Sequence, residues 1–178
     1  MIKALLFDVF GTVVDWRTGI AKEVEIIADK NDISLDPFDF ADAWRAEYQP
    51  AMEEIRKGRR SFTILDILHM ENLKKIAPKF NLHNISDEDF KFLVTAWHRL
   101  PGWPDSSEGL NALKNKYILA TQSNGNIALI VNMAKFSNLN WDVILGAEVI
   151  GHYKPEPEAY LKALSLIHIS EPTRLRRR

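Results

Sequence analysis

The ten residues KALLFDVFGT, Lys3 to Thr12, decide the fold that this sequence predicts. The apolar run ends at a single carboxylate, Asp8, and Gly11 and Thr12 then mark a tight turn in which backbone amides can point inward. A continuous apolar run of this length is typical of a buried parallel strand. An acid at the carboxyl end of such a strand lies where open α/β sheets bind their ligands. Taken alone, Asp8 is better explained as a cap on the turn, so its role depends on the rest of the chain.

Composition narrows the functional classes before any other motif is considered. The chain has 178 residues, a formal net charge of −1, 46% hydrophobic residues and no cysteine. A net charge this small gives no field that favours nucleic acid or an anionic membrane, so we expect neither as a partner. Without cysteine there is no disulfide framework and no thiolate nucleophile. The N-terminal apolar run is too short for a signal peptide or a membrane span, so we expect a soluble, cytoplasmic protein.

Helical and strand patterns divide the chain into a sheet-forming part and a helical insertion. Residues 16–97 show helical periodicity throughout, with Ser86 as an N-cap and with Pro50 expected to kink or divide the second helix. Buried strands are predicted at residues 117–121 and 141–145, and each is followed by a helical stretch. This alternation predicts an α/β fold in which a parallel sheet is connected by right-handed crossovers.

Polar side chains stand at three places where a predicted strand passes into a loop or helix. The first offers Asp8 and Thr12, the second Ser123 and Asn124, and the third Lys154. Because the carboxyl ends of parallel strands meet at one side of a sheet, we expect these groups to lie together. A nucleophilic carboxylate needs an ammonium group to hold it ionised and oriented, and hydroxyl and amide donors bind an anionic substrate. Each motif alone is more readily a turn or a solvated loop, but together they indicate a catalytic site.

These segments together resemble the first three motifs of the haloacid dehalogenase superfamily. The resemblance rests on FDVFGT at residues 7–12, QSNG at residues 122–125, and YKP at residues 153–155 with Tyr160 six positions after the lysine. The four-helix insertion after the first motif resembles that superfamily's first type of cap. The resemblance therefore implies a Rossmann-like core at residues 1–15 and 98–164, with residues 16–97 as a helical cap.

Position 10 distinguishes two branches of the superfamily. Its phosphatases carry a second aspartate two residues after the nucleophile, which protonates the leaving alkoxide, whereas this chain has Phe10. A halide leaving group needs no general acid, and the L-2-haloacid dehalogenases have an aromatic residue at this place. The segment WRAEY at residues 44–48 also resembles that branch's arginine segment, although Arg45 alone would be interpreted as part of a helix-surface salt bridge. The resemblance implies dehalogenation with no metal and no cofactor.

The resemblance also implies a role for each candidate residue. Asp8 attacks the carbon that bears the halogen and expels halide toward Arg45, and water then hydrolyses the Asp8 ester to a 2-hydroxy acid. Thr12 and Lys154 hold the Asp8 carboxylate. The expected substrate contacts, as donors to the carboxylate, as apolar wall or as support for the lysine, are Phe10, Gly11, Trp16, Ser123, Asn124 and Tyr160. The implied partner is a small 2-haloacid, a haloacetate or a 2-halopropionate, with fluoroacetate included.

Two other classes of function stay open at this point. One is a superfamily phosphatase with relaxed motifs, which Phe10 and the absence of fourth-motif acids disfavour, and the other is a non-catalytic protein that keeps the fold. Family members are often dimers through the cap, so the resemblance is compatible with a homodimer, although no apolar stripe in this sequence establishes one.

The resemblance ends near Leu164. The family pattern continues into a fourth strand whose motif contains an aspartate, whereas residues 165–178 contain Pro172 and four arginines among the last five positions. We interpret residues 165–178 as a non-native tail on a truncated chain, in preference to a tail that binds nucleic acid or membrane. We expect the missing C-terminal strands to leave a sheet edge open and to reduce stability and activity.

Overall fold

Three parallel strands form one sheet in the computed structural model, which describes residues 2–167. The spatial order is β1-β2-β3, and the strands are Ala4–Phe7 (β1), Ile118–Gln122 (β2) and Val143–Leu145 (β3). β1 pairs with β2 from Ala4 opposite Ile118 to Phe7 opposite Thr121. Because the strands are parallel, the residues that follow them leave the sheet at the same end, the carboxyl-terminal end of the strands.

Helices connect the strands and surround the sheet. Six of them separate β1 from β2 within residues 2–167, one separates β2 from β3, and two follow β3. The helices are Trp16–Lys30 (α1), Pro37–Ala46 (α2), Tyr48–Arg56 (α3), Leu65–Ile76 (α4), Asp87–Val94 (α5), Ser106–Lys114 (α6), Ile127–Phe136 (α7), Ala147–Ile150 (α8) and Pro157–Leu166 (α9). Short 3-10 segments occupy Ala77–Phe80, Leu82–Asn84 and Thr95–Arg99. The predicted α/β fold with a helical insertion after the first strand is confirmed.

Local sequence explains where the helices of the insertion begin and divide. The predicted second helix breaks at Glu47, so that Pro50 falls in the first turn of α3, where its missing N–H and its ring are tolerated. The predicted N-cap is also confirmed, because Ser86 Oγ accepts a hydrogen bond from the Asp89 N–H at 3.1 Å. The four-residue helix α8 was not predicted, since so short a segment carries no periodic pattern.

The tight turn after β1 is confirmed, and it depends on a glycine. The Val9 carbonyl accepts hydrogen bonds from the N–H groups of Val13 and Val14, and the Gly11 N–H donates to the Val14 carbonyl at 3.0 Å. Gly11 has a φ angle of +88°, a backbone conformation that residues with a Cβ atom rarely adopt. The Gly11 amide is therefore used inside the turn, although the sequence had offered Gly11 as a candidate for substrate binding.

One apolar cluster packs the helical insertion against the sheet. It contains buried residues from the turn after β1, from α1, α2, β2 and α7, and from the 3-10 segment before α6, among them Val9, Val14, Ile20, Val24, Phe40, Trp44, Trp97, Leu119 and Met133. Burial of each large apolar side chain contributes about 1.5–3 kcal/mol relative to its exposure to water. The segments predicted as cap and core thus share a continuous apolar interior.

The predicted C-terminal tail lies only partly within the described residues. Ser165 and Leu166 continue α9, so this helix runs two residues past Leu164, whereas the remainder of the predicted tail from residue 168 lies beyond the part of the chain that the structure describes. Within residues 2–167, β1 and β3 each pair with β2 alone. None of the helices in this range is both long and apolar enough to cross a membrane.

His69 is a buried polar side chain inside the cluster of aromatic residues. Its ring stacks on Trp97 with the centroids 4.3 Å apart and packs edge-on against Trp44. Neither ring nitrogen has a hydrogen-bond partner within residues 2–167, and the residue is only 2% exposed. Burial lowers the pKa of His69 from 6.5 to about 3, because the charged imidazolium loses its hydration there.

We predict that His69 makes the fold less stable as the pH falls from about 6.5 toward 3. In that range the unfolded chain binds a proton at His69 and the folded chain does not, so the unfolded state gains the advantage. Between pH 7 and pH 5 this single residue lowers the free energy of unfolding by about 2 kcal/mol. Urea unfolding of the wild type and of His69→Leu at both pH values measures the difference.

The exposed His83 provides the control for this prediction. His83→Gln is expected to keep the wild-type dependence of stability on pH, and His69→Leu to lose about 2 kcal/mol of it. Equal dependence in all three proteins would contradict the assignment to His69.

Candidate active site

Asp8 lies directly after β1 and is held through both of its carboxylate oxygens. Lys154 Nζ donates to Asp8 Oδ1 at 2.6 Å, and Thr12 Oγ1 donates to Asp8 Oδ2 at 2.8 Å. The Asp8 side chain is 43% exposed and that of Lys154 is 17% exposed. The carboxylate therefore has a fixed orientation but remains accessible from the adjoining cavity.

Asn124, which follows β2, connects the lysine loop to the helical insertion. Its Oδ1 accepts a hydrogen bond from the Lys154 N–H at 2.8 Å, and its Nδ2 donates to Tyr48 Oη at 3.1 Å. The neighbouring Ser123 is buried, and its hydroxyl oxygen accepts from the Gly125 N–H at 3.1 Å. Asn124 thus links three segments at the site, while Ser123 stabilises the loop after β2.

Arg45 approaches the site from α2 and lies between aromatic rings. Its guanidinium carbon is 3.8 Å from the ring centroid of Tyr48 and 5.5 Å from that of Trp16. Within residues 2–167 Arg45 forms no ion pair, so the helix-surface salt bridge that the sequence left open is not found there. Arg45 is therefore a cation that is held by aromatic faces, with no carboxylate to neutralise it in the described part of the chain.

A cavity of about 340 Å³ lies between Asp8 and Arg45. Its lining residues are Asp8, Phe10, Arg45, Tyr48, Gln49, Asn124, Lys154, Pro155 and Tyr160. Six of them were predicted from the sequence, namely Asp8, Phe10, Arg45, Asn124, Lys154 and Tyr160. The other predicted residues lie around the lining: Thr12 on Asp8, Trp16 beside Arg45, and Gly11 and Ser123 in the two turns.

Tyr48, Gln49 and Pro155 line the cavity but were not predicted as site residues. The signal for Tyr48 was its position three residues after Arg45, since residues three apart share one face of a helix. That signal was weak because the chain leaves α2 after Ala46 and starts α3 at Tyr48.

Phe10 contributes an apolar wall to the cavity at the place two residues after Asp8. It is partly buried, and its ring packs edge-on against Trp97 with the centroids 6.0 Å apart. A phenyl ring has no proton to donate, so Phe10 cannot act as a general acid toward a group bound at Asp8.

Hydrogen bonds seat the helical insertion on the sheet beside the cavity. Arg56 Nη1 donates to the Lys154 carbonyl at 3.2 Å, and Tyr153 Oη donates to the Thr63 carbonyl at 2.5 Å. A second set of contacts joins α4 to the start of α7: Asp66 accepts a hydrogen bond from Asn126 Nδ2 at 2.8 Å and contacts His98 Nε2 at 3.0 Å.

Asp66 is ionised at this junction in spite of its burial. Burial acts to raise the pKa of Asp66, but the hydrogen bonds from His98 and Asn126 more than offset it and hold the pKa below its usual value. Among residues 2–167, no three His, Asp or Glu side chains are grouped so that they could ligate a metal ion.

The family of the chain is shown by a match to a family model. The model describes haloacid dehalogenase-like hydrolases, and it matches residues 2–174. The chain belongs to the haloacid dehalogenase-like hydrolases. The family predicted from the three strand-end motifs is therefore confirmed.

Relatives of known structure specify the branch of this family. A crystal structure of a defluorinating L-2-haloacid dehalogenase is 46% identical, with a TM-score of 0.91, and the match covers 94% of this chain and 69% of that one. A second L-2-haloacid dehalogenase structure is 39% identical, with a TM-score of 0.89 and coverage of 94% and 72%. The resemblance to this branch, which the sequence indicated at Phe10 and Arg45, is confirmed.

A curated relative agrees with the solved structures. The (S)-2-haloacid dehalogenase 1 of Pseudomonas sp. (strain CBS-3) is 28% identical over 163 residues, which cover 89% of this chain and 68% of the relative.

Proposed function

We propose that this chain hydrolyses the carbon–halogen bond of short 2-haloalkanoic acids through an ester on Asp8. The observation that carries the proposal is the cavity with an oriented carboxylate, Asp8, on one side and, on the other, a cation, Arg45, that has no ion-pair partner within residues 2–167. An anionic nucleophile opposite a cation matches a displacement in which an anion attacks and an anion leaves. The names of the relatives support the same class of reaction.

The first step is a displacement at the carbon that carries the halogen. An Asp8 carboxylate oxygen forms a bond to this carbon, and the carbon–halogen bond breaks with both of its electrons on the halide. Lys154 and Thr12 hold the carboxylate in one orientation, which keeps the attacking atom close to the line of the breaking bond. Arg45 stabilises the halide charge as it develops, and Phe10 is suited to its position because halide leaves without a proton.

The second step is hydrolysis of the ester. Water attacks Asp8 Cγ, and the bond between Cγ and the oxygen attached to the substrate breaks, which releases a 2-hydroxy acid. One proton from water goes to the departing hydroxyl oxygen and the other to solvent, so the Asp8 carboxylate is regenerated. In this step the product carries an oxygen that belonged to Asp8, and Asp8 receives an oxygen from water.

The proposed substrates are small acids, haloacetates and 2-halopropionates. A cavity of about 340 Å³ accommodates a three-carbon acid with its halogen, and Asn124 supplies an amide near the position that we propose for the substrate carboxylate. We include fluoroacetate because a relative that is 46% identical is described as defluorinating.

We predict that the chain releases chloride from 2-chloropropionate and does not release phosphate from p-nitrophenyl phosphate. Phe10 cannot protonate a leaving alkoxide, whereas chloride needs no proton. Each enantiomer of 2-chloropropionate is tested separately, and all assays are run with and without EDTA.

The alternatives give different results in this assay. Phosphate release that EDTA abolishes, with no chloride release, would indicate a phosphatase. If the wild type shows neither activity and Asp8→Asn has no measurable effect, the result would favour a non-catalytic member of the fold.

A further inference from the structure

Tyr48 occupies the junction between the cation of the helical insertion and the loops of the sheet. It is 6% exposed, its ring lies 3.8 Å beneath the Arg45 guanidinium, and its hydroxyl oxygen accepts the hydrogen bond from Asn124. Burial raises the pKa of Tyr48, so the hydroxyl stays neutral at physiological pH. Tyr48 therefore contacts Arg45 through its face and Asn124 through its edge.

Arg45 depends on this ring for its position. A long arginine side chain has many rotamers, and a stacked aromatic face restricts them without blocking the N–H edges of the guanidinium. Trp16 lies 5.5 Å from the guanidinium carbon, a weaker contact than that with Tyr48 at 3.8 Å. Since no carboxylate within residues 2–167 pairs with Arg45, aromatic contacts orient this cation toward the cavity that it lines.

Tyr48 also connects Arg45 to the nucleophile through a short series of contacts. Asn124 accepts from the Lys154 N–H through the amide oxygen, while its amide nitrogen donates to Tyr48. Lys154 in turn donates to Asp8. The Tyr48 hydroxyl is therefore linked, through Asn124, to the loop that carries Lys154.

We propose that Tyr48 is a positioning residue that orients Arg45 to receive the halide and joins it to the Asn124–Lys154 loop. This inference rests on the proposed function, in which Arg45 stabilises the departing halide. It separates two parts of one side chain: the ring supports anion binding at Arg45, and the hydroxyl supports the geometry of Asn124.

Two substitutions distinguish the ring from the hydroxyl. Tyr48→Phe keeps the ring and loses the hydrogen bond from Asn124, whereas Tyr48→Leu loses both. Chloride binding is measured from the line width of the chloride-35 NMR signal, which needs no turnover, and Arg45→Gln defines the part of the signal that depends on Arg45.

We expect Tyr48→Leu to weaken Arg45-dependent chloride binding at least about fivefold, and Tyr48→Phe to leave it within about twofold of the wild type. We expect Tyr48→Phe to lower kcat for 2-chloropropionate about three- to tenfold because the Asn124 contact is lost.

Tyr153→Phe is the matched control for a simple loss of stability. Tyr153 is buried in the same apolar cluster as Tyr48, and its hydroxyl makes one hydrogen bond, to the Thr63 carbonyl. This variant is expected to keep wild-type chloride binding even where its urea midpoint falls as far as that of Tyr48→Leu.

Three outcomes would overturn the inference. Chloride binding by Tyr48→Leu that equals the wild type shows that the ring does not position Arg45. Equal weakening in Tyr153→Phe shows that the effect is one of stability. A wild-type signal that Arg45→Gln leaves unchanged removes the halide site at Arg45 and with it the role of Tyr48; this outcome is a failure of the proposed function and is distinguished from the first two by the Arg45→Gln measurement.

Discussion

Asp8→Asn is expected to lower the rate of halide release at least about 10⁴-fold, since removal of a catalytic nucleophile costs this much or more. An amide oxygen is a far poorer nucleophile than a carboxylate oxygen, and an ester cannot form at asparagine in the same way. The substitution keeps the size of the side chain and leaves an oxygen that accepts from Thr12 or Lys154. Initial rates of chloride release from 2-chloropropionate, with enzyme at high concentration, measure the loss.

Asp142→Asn is the matched control for this substitution. Asp142 also pairs with a lysine, Lys114, at 2.9 Å. It precedes β3, so it lies at the amino-terminal end of the parallel strands, whereas Asp8 lies at their carboxyl-terminal end. Asp142→Asn is expected to reduce stability and to leave the rate per folded molecule unchanged. An Asp8→Asn enzyme with a rate near that of the wild type would rule out Asp8 as the nucleophile.

Lys154→Met is expected to lower kcat about 10²- to 10³-fold, the usual cost of removing one charged or polar group that is aligned on the reacting atoms. Methionine keeps an unbranched side chain and removes the ammonium that donates to Asp8 Oδ1 at 2.6 Å. The carboxylate would then be held by Thr12 alone, and fewer of its orientations would lead to attack. Steady-state kinetics with 2-chloropropionate separate the effect on kcat from the effect on KM.

Lys162→Met is the matched control, which tests whether loss of another lysine in the same part of the chain also lowers kcat. Lys162 lies on α9, and its Nζ donates to the Ile150 carbonyl at 2.9 Å, away from the carboxylate. It is expected to retain kcat within about twofold, because its ammonium donates to the carbonyl of Ile150, which does not line the cavity. A small effect of Lys154→Met, comparable to that of Lys162→Met, would contradict the role assigned to the ion pair with Asp8.

The sheet, and the position of the site at the carboxyl-terminal end of its strands, were predictable from local sequence. A continuous apolar run that ends in Asp8 specifies a buried parallel strand, and parallel strands place their following residues on one side. That rule predicts that Asn124, which follows β2, lies near Asp8. For Lys154, which follows α8 and is 146 residues from Asp8 along the chain, the spacing was only suggestive without the resemblance to the family. The insertion between β1 and β2 was recognisable because its helical periodicity is long and uninterrupted by strand patterns.

The partners of Arg45 were not predictable in the same way. Its stacking on Tyr48 depends on the break between α2 and α3 and on the packing of both helices against the sheet, which are tertiary contacts. The roles of Gly11 and Ser123 in their own turns were also hidden, because a hydrogen bond within a turn and one to a ligand require the same residue type. His69 gave no signal, since a histidine on an apolar helix face is compatible with a core position or a site.

The central claim, an ester formed on Asp8, is tested most directly by a single turnover in H₂¹⁸O with enzyme in excess over 2-chloropropionate. The peptide that contains Asp8 and the released 2-hydroxy acid are both analysed by mass spectrometry. We predict one ¹⁸O atom in the Asp8 peptide and an unlabelled 2-hydroxyl group, because the product takes its oxygen from Asp8. Label in the product and none in the Asp8 peptide would mean that water attacks the substrate directly and that no ester forms on Asp8.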